Sequence, residues 1–237
     1  MADQLETILA EGLDALSLPY TDDTLHRFRL FYTLLSERSQ QMNLTAISGE
    51  ADVARLHMLD CAAILPLIPF AGKRVLDVGS GAGFPGLVLK VARPELPVVL
   101  LDSLDKRIGF LRETCSALGF DDVACIHARA EEIPAGYREA FDIAVSRAVA
   151  RLDLLCELCL PYVKKGGLFL AMKSRDHADE LKEAGRSISL LGGTVEAEKD
   201  YAIPGTDIVH SVICIRKTSV TPPKYPRRWA QIKKQPL

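Results

Sequence analysis

The sequence predicts an α/β protein, a Rossmann-like, doubly wound mixed sheet that ends in an antiparallel hairpin and is preceded by a helical segment. Three observations carry that reading. Short apolar runs alternate with helical stretches from Lys73 onward, the signature of parallel strands joined by crossover helices. A glycine-rich turn follows the first of those runs. Residues 3–65 carry only a helical period, with apolar positions recurring at three and four.

The elements follow in order. LETILAEGLDAL, TLHRFRLFYTLLSERSQ and ADVARLHMLDCAAIL are the N-terminal helices, and MNLTAISGEADV between the second and third is a loop, with Ser48 as the cap of the helix after it. Pro66, Pro69 and Gly72 mark a boundary near residue 70. The strands are RVLDV (74–78), PVVLLD (97–102), VACIHA (123–128), FDIAVS (141–146) and GLFLAMK (167–173), with helices near residues 85–92, 105–118, 152–162 and 176–190. TVEAEKDYAI and DIVHSVICIRK, separated by Pro204-Gly205, form the terminal hairpin. Five parallel strands closed by an antiparallel pair is the arrangement of class I methyltransferases. The organisation expected is a helical segment (1–70), a cofactor domain (71–217) and a basic tail (218–237).

Composition narrows the class. With 237 residues, 48% hydrophobic and 25% charged, the chain has the makings of one well-buried core. No apolar run approaches the roughly 18 residues of a membrane span, and the start MADQLETILAEGLD has acids where a signal peptide has bases. A cytoplasmic protein without membrane association is expected. The six cysteines sit in apolar surroundings as buried thiols, including the C-x-x-C of Cys156 and Cys159, which lies in an apolar helix with no second ligand pair. Histidines 26, 57, 127, 177 and 210 show no metal-ligand spacing, so no metal is expected and none of them is assigned a catalytic role.

The net charge of -2 recruits no polyanion, but its distribution is uneven. From residue 216 onward the chain carries Arg216, Lys217, Lys224, Arg227, Arg228, Lys233 and Lys234, no acid, and the interleaved Tyr225 and Trp229. Such a tail suits a phosphate backbone; a solvated terminus is the alternative.

VLDVGSGAGFPG (75–86) passes from strand through a glycine turn into a helix that opens with Pro85. Gly79, Gly81 and Gly83 let a ligand approach the backbone and allow angles that other residues resist. Gly81, Gly83 and Gly86 also satisfy the dinucleotide fingerprint G-x-G-x-x-G. Asp77 at the strand end favours S-adenosylmethionine, whose cationic amino-acid end an acid attracts directly or through water, whereas it would repel a pyrophosphate. Asp102 closes the second strand, 21 residues beyond Gly81, where this architecture places an acid beside ribose hydroxyls; capping of the next helix is the alternative.

DVGSGAGFPGLVLK, LLDSLDKRIGFLR, ARAEE and SRAVA together resemble the bacterial 16S ribosomal RNA guanine-N7 methyltransferases (RsmG, or GidB), and so do NLTAI (43–47), HMLDC (57–61) and the tail TPPKYPRRWAQIKKQPL. The resemblance spans nearly the whole chain. It implies that Gly79 and Phe84 line the donor, that Ala130 and Glu131 flank the adenine, and that Arg147 is the site arginine. It also implies 16S ribosomal RNA or the small-subunit particle as partner; a monomer is expected. Two positions depart from the pattern. Lys173-Ser174-Arg175 stands where the family has Lys-Gly, and Arg55 is displaced by one before His57.

Guanine N7 has a free lone pair, so methylation there requires no general base, and orientation alone can supply about 7 to 11 kcal/mol. Asn43, Arg147 and Lys173 are the candidates for receiving the guanine, as an amide and two cations able to bond base or phosphate. A small-molecule methyltransferase, an NAD-dependent oxidoreductase and a silent RNA-binding module remain the competing readings.

Overall fold

The computed structural model describes residues 4–237; the first three residues of the predicted helical segment lie outside them. The chain opens with α1 (Gln4–Ala15) and α2 (Asp22–Met42), then α3 (Glu50–Val53), which runs through a π-helical turn (Ala54–Leu59) into α4 (Asp60–Ala62). There follow β1 (Val75–Val78), α5 (Gly86–Ala92), β2 (Val98–Asp102), α6 (Asp105–Ala117), β3 (Ala124–His127) and β4 (Phe141–Arg147). Then come α7 (Leu152–Cys159) with a 3-10 turn (Leu160–Tyr162), β5 (Val163–Ser174), α8 (Ala178–Leu190), β6 (Gly193–Ala202), β7 (Val209–Lys217) and α9 (Trp229–Lys234).

Each predicted strand is present. The long third helix is instead broken by the π-helical turn, and its cap is Gly49, with φ of 86° and no side-chain bond, rather than Ser48. The second helix starts earlier than its apolar period, because Thr21 and Thr24 form a reciprocal capping box ahead of it.

The seven strands run in the order β3-β2-β1-β4-β5-β7-β6. Strand β7 is antiparallel to both β5 and β6, so it is the one reversed strand and inserts between its two neighbours. Burial explains this placement. Residues Ser211–Ile215 of β7 are buried, whereas the charged stretch Glu196–Asp200 of β6 is largely open and suits a sheet edge.

Alternating side chains feed two cores. Val75, Val98, Leu100, Ile143, Val145 and Leu170 face one layer, which α5, α6 and the N-terminal helices cover with Leu9, Phe28, Phe31 and Met58. Leu76, Val78, Leu101, Ala144 and Phe169 face the other, covered by α7, α8 and α9. The N-terminal helices thus share a core with the sheet. The tail is also folded. Ile232 and Tyr225 are buried, the Arg138 guanidinium donates to the carbonyls of Thr221, Pro222 and Tyr225, and Arg227 forks onto buried Glu157.

That folding corrects the picture of an open cationic tail. Lys217 is wholly buried and bonds Leu160 O at 2.7 Å, and Arg216 pairs with Glu196. Lys224, Arg228, Lys233 and Lys234 are the tail cations left exposed. Tyr225 is a core residue, so of the two aromatics Trp229 alone is partly open. All six cysteines are buried free thiols, and no helix among the described residues is long and apolar enough to cross a membrane.

Candidate active site

The glycine loop is held by the end of β2. Gly79 and Ser80 donate their N–H groups to Leu101 O at 2.8 and 3.0 Å, and Gly81 N–H donates to Asp102 Oδ2 at 2.9 Å. Gly79, Gly81 and Gly83 have φ of 77°, 58° and 102°, a region that favours glycine. Ser80, which the sequence reading passed over, locks the turn: its buried hydroxyl donates to Asp77 O and accepts from Leu101 N–H.

Above this loop lies a cavity of about 480 Å³. It sits at the carboxyl ends of β1 and β4, where the strand order reverses, the position at which open α/β sheets bind ligands. Gly79, Gly81 and Phe84 form one side, with Asp102 and Ser103 beyond β2 and Arg129, Ala130 and Glu131 beyond β3. Arg147 and Val149 follow β4, and Thr45, His57 and Trp229 close the wall from outside the sheet. The structure therefore brings together Gly79, Gly81, Phe84, Asp102, Ala130, Glu131 and Arg147. Asp102 lines the cavity, and its other oxygen accepts Leu104 N–H just ahead of α6, whose first turn receives no side-chain cap.

Four sequence candidates stand elsewhere. Asp77 shares the face of Val75, so the pleat turns it beneath α5: it is wholly buried, and its Oδ2 accepts Gly86 N–H at 2.9 Å. Burial pushes its carboxyl up to about 7. Gly83 also faces away, because a Cβ there would lie 3.2 Å from Phe31 and 3.3 Å from Leu111; it lets α2 and α6 close on the loop. Lys173 donates to Ala150 O at 2.9 Å and to Glu180 Oε2 at 2.6 Å, braces the segment after β4 and does not line the cavity. Asn43 is the left-handed C-cap of α2 (φ 48°), with its N–H on Ser39 O; its neighbours Leu44 and Thr45 are the residues that reach the cavity.

The centre of the site is a polar chain invisible to motif spacing. Arg147 Nη1 donates to Leu56 O at 3.1 Å and to Asp60 Oδ2 at 2.8 Å, and Nη2 lies 2.8 Å from His57 Nδ1. The guanidinium covers the Phe84 ring at 5.2 Å, and the His57 ring stacks on Phe84 at 4.4 Å. Asp60, 1% exposed, also accepts from Tyr201 at 3.0 Å and bonds His210 at 2.8 Å. Although burial opposes it, His210 and Arg147 hold the Asp60 carboxyl below the usual range. Burial, then Arg147, pushes His57 down to about 4. His57 is thus a cavity residue despite the absence of any metal or triad spacing; the signal was HMLDC and NLTAI matching outside the cofactor fold.

Gly81 offers a clean probe of the loop. A Cβ there meets no protein atom closer than 3.9 Å, whereas one at Gly79 would lie 2.5 Å from Val149. Gly81→Val should cost about 1–2 kcal/mol of stability through its positive φ while lowering donor affinity about 100-fold, because the added bulk occupies cavity space. Calorimetric titration checks this, and full donor affinity in the variant would take the loop out of the site.

Sheet order, glycine loop and a cavity at the switch point give the chain the fold of the class I methyltransferases. Its fold is similar to that of a methyltransferase from Pyrococcus furiosus, with a TM-score of 0.56 at 14% identity over 82% of this chain and 99% of that one. The sequence profile of rRNA small subunit methyltransferase G (GidB) matches residues 24–204. Proteins named ribosomal RNA small subunit methyltransferase G from Lachnoclostridium phytofermentans and Acetivibrio thermocellus are 44% and 41% identical to it. Those matches cover 96% and 99% of this chain, and 95% and 97% of theirs. The chain belongs to the rRNA small subunit methyltransferase G family.

Proposed function

We propose that this enzyme transfers the methyl group of S-adenosyl-L-methionine to N7 of a guanine in 16S ribosomal RNA, free or in the small-subunit particle, as a cytoplasmic monomer. One observation carries the reading beyond the cofactor fold: the cavity wall is completed by Thr45, His57 and Trp229, all outside the sheet. These belong to the N-terminal segment and the tail, where the chain departs from a generic methyltransferase.

The cavity's size suits a cofactor with room for a reacting base. Asp102 would face the ribose hydroxyls, Ala130 and Glu131 the adenine, Gly79, Gly81 and Phe84 the body of the donor, and Arg147 the junction of donor and base. When bound, the donor supplies an electrophilic methyl on a sulfonium. The protein then has to hold N7 in line and keep water out. His57 takes no proton in this scheme, since it is neutral near pH 7 and both ring nitrogens are engaged, with Arg147 and with Thr45 Oγ1 at 2.7 Å. N7 requires none, because its lone pair attacks directly. Exposed Arg228 directly precedes Trp229, exposed Lys233 and Lys234 end the same short helix, and these cations suit an RNA backbone, whose affinity falls with salt.

The test is transfer of labelled methyl to unmodified small-subunit RNA and particles, followed by digestion to nucleosides. Label in 7-methylguanosine is the expected result. Label in another nucleoside, or none with donor binding intact, would reject the assignment.

A further inference from the structure

The chain of hydrogen bonds from Asp60 to the cavity fixes the polarity of the side chain at its end. A guanidinium carries donors only, so His57 Nδ1, 2.8 Å from Arg147 Nη2, accepts. The proton of the neutral ring is therefore on Nε2, and Nε2–H donates to Thr45 Oγ1 at 2.7 Å. Ile47 N–H donates to the same oxygen at 3.0 Å. A hydroxyl has two acceptor sites and one proton. Both acceptor sites of Thr45 are taken, by His57 and by Ile47, and what it has left to offer the cavity it lines is its proton.

Asp60 sets this direction from the far end. It is buried, bound by Arg147, Tyr201 and His210, and holds the guanidinium where it faces His57. Guanine and adenine both present an N7 acceptor, so N7 does not distinguish them. Position 6, beside it on the same edge, does: guanine carries an acceptor oxygen and adenine an amino donor.

We propose that the Thr45 hydroxyl is a specificity-determining donor that bonds guanine O6, and that His57, Arg147 and Asp60 are positioning residues that deny it acceptor capacity and so disfavour adenine. The proposal rests on the reading that guanine N7 is the target, and deepens it by naming the group that selects the base.

The experiment compares RNAs bearing guanosine or 2-aminopurine riboside at the target position; the latter keeps N7 and lacks O6. Thr45→Val should lower kcat/KM on the guanosine RNA about 10- to 100-fold, the size of a lost hydrogen bond to a desolvated acceptor, and Thr45→Ser should recover most of it. On the 2-aminopurine RNA, wild type and Thr45→Val should turn over alike. His57→Phe should lower the guanosine to 2-aminopurine preference, a ratio that partial misfolding does not change. Donor affinity, titrated separately, should be the same in wild type and Thr45→Val. An equal loss on both RNAs, or none on guanosine, would overturn the role of Thr45 while wild-type production of 7-methylguanosine upholds the target. Absence of 7-methylguanosine from the wild-type reaction would overturn both.

Discussion

Arg147→Met is expected to destabilise the protein by about 3–5 kcal/mol and to abolish methyl transfer. The stability estimate is that for removing one partner of a buried ion pair. Asp60 is 1% exposed, so it cannot turn to water when the guanidinium leaves. Leu56 O and His57 Nδ1 lose their donor with it, and Phe84 loses the cation over its ring. Methionine matches the volume of the stem and leaves no large void, so the electrostatic loss dominates. Arg147→Lys should rescue little, since one ammonium cannot span three acceptors that a planar fork reaches from two nitrogens. Urea unfolding and single-turnover transfer check the two halves. A stability change under 1 kcal/mol would mean that Asp60 is sufficiently held by Tyr201 and His210.

Asp77→Asn should act in the opposite direction and depend on pH. Burial raises the folded-state carboxyl from 3.8 to about 7. Below about pH 4 the group is protonated in folded and unfolded chains alike and has no effect on the balance. As pH rises from there to about 7, the unfolded chain releases this proton first, and the fold loses up to roughly 4 kcal/mol, three pK units at 1.36 kcal/mol each. Asparagine keeps the shape and an acceptor for Gly86 N–H, and does not ionise. The donor-free variant should therefore be more stable than wild type at pH 8 and nearly equal to it at pH 4. Parallel stability curves across that range would show that Asp77 is not the group whose burial matters.

Asp77 also illustrates how a correct motif yields a misplaced contact. Its position at the end of β1 was plain, and so was its charge. Which face of the strand it occupies relative to α5 was not, and parity sent it under the helix, where it holds Gly86. A Cβ on Gly86 would lie 2.7 Å from Asp77 Cβ and 2.5 Å from Leu100, so that glycine serves close helix-to-strand packing. Lys173 and Asn43 failed for a related reason. A cation and an amide able to bond a base are equally able to bond the protein, and Glu180 and the end of α2 had prior claim on them.

Sequence by itself determined the strands, the glycine loop, the acid after β2 and the family, because each rests on local patterns: short apolar runs, glycines where φ is positive, and residues at fixed spacing along one strand and turn. Tertiary structure alone decided that Thr45, His57, Asp60 and Arg147 form one hydrogen-bonded chain, since they come from a loop, a π-helical turn, the helix after it and the end of β4, up to 102 residues apart. It likewise decided that the tail folds against α7 and that Lys217 and Arg227, of its seven cations, are spent on buried partners. Polarity at such a site is a property of who donates to whom, and that is settled only when distant side chains meet in a space that excludes water.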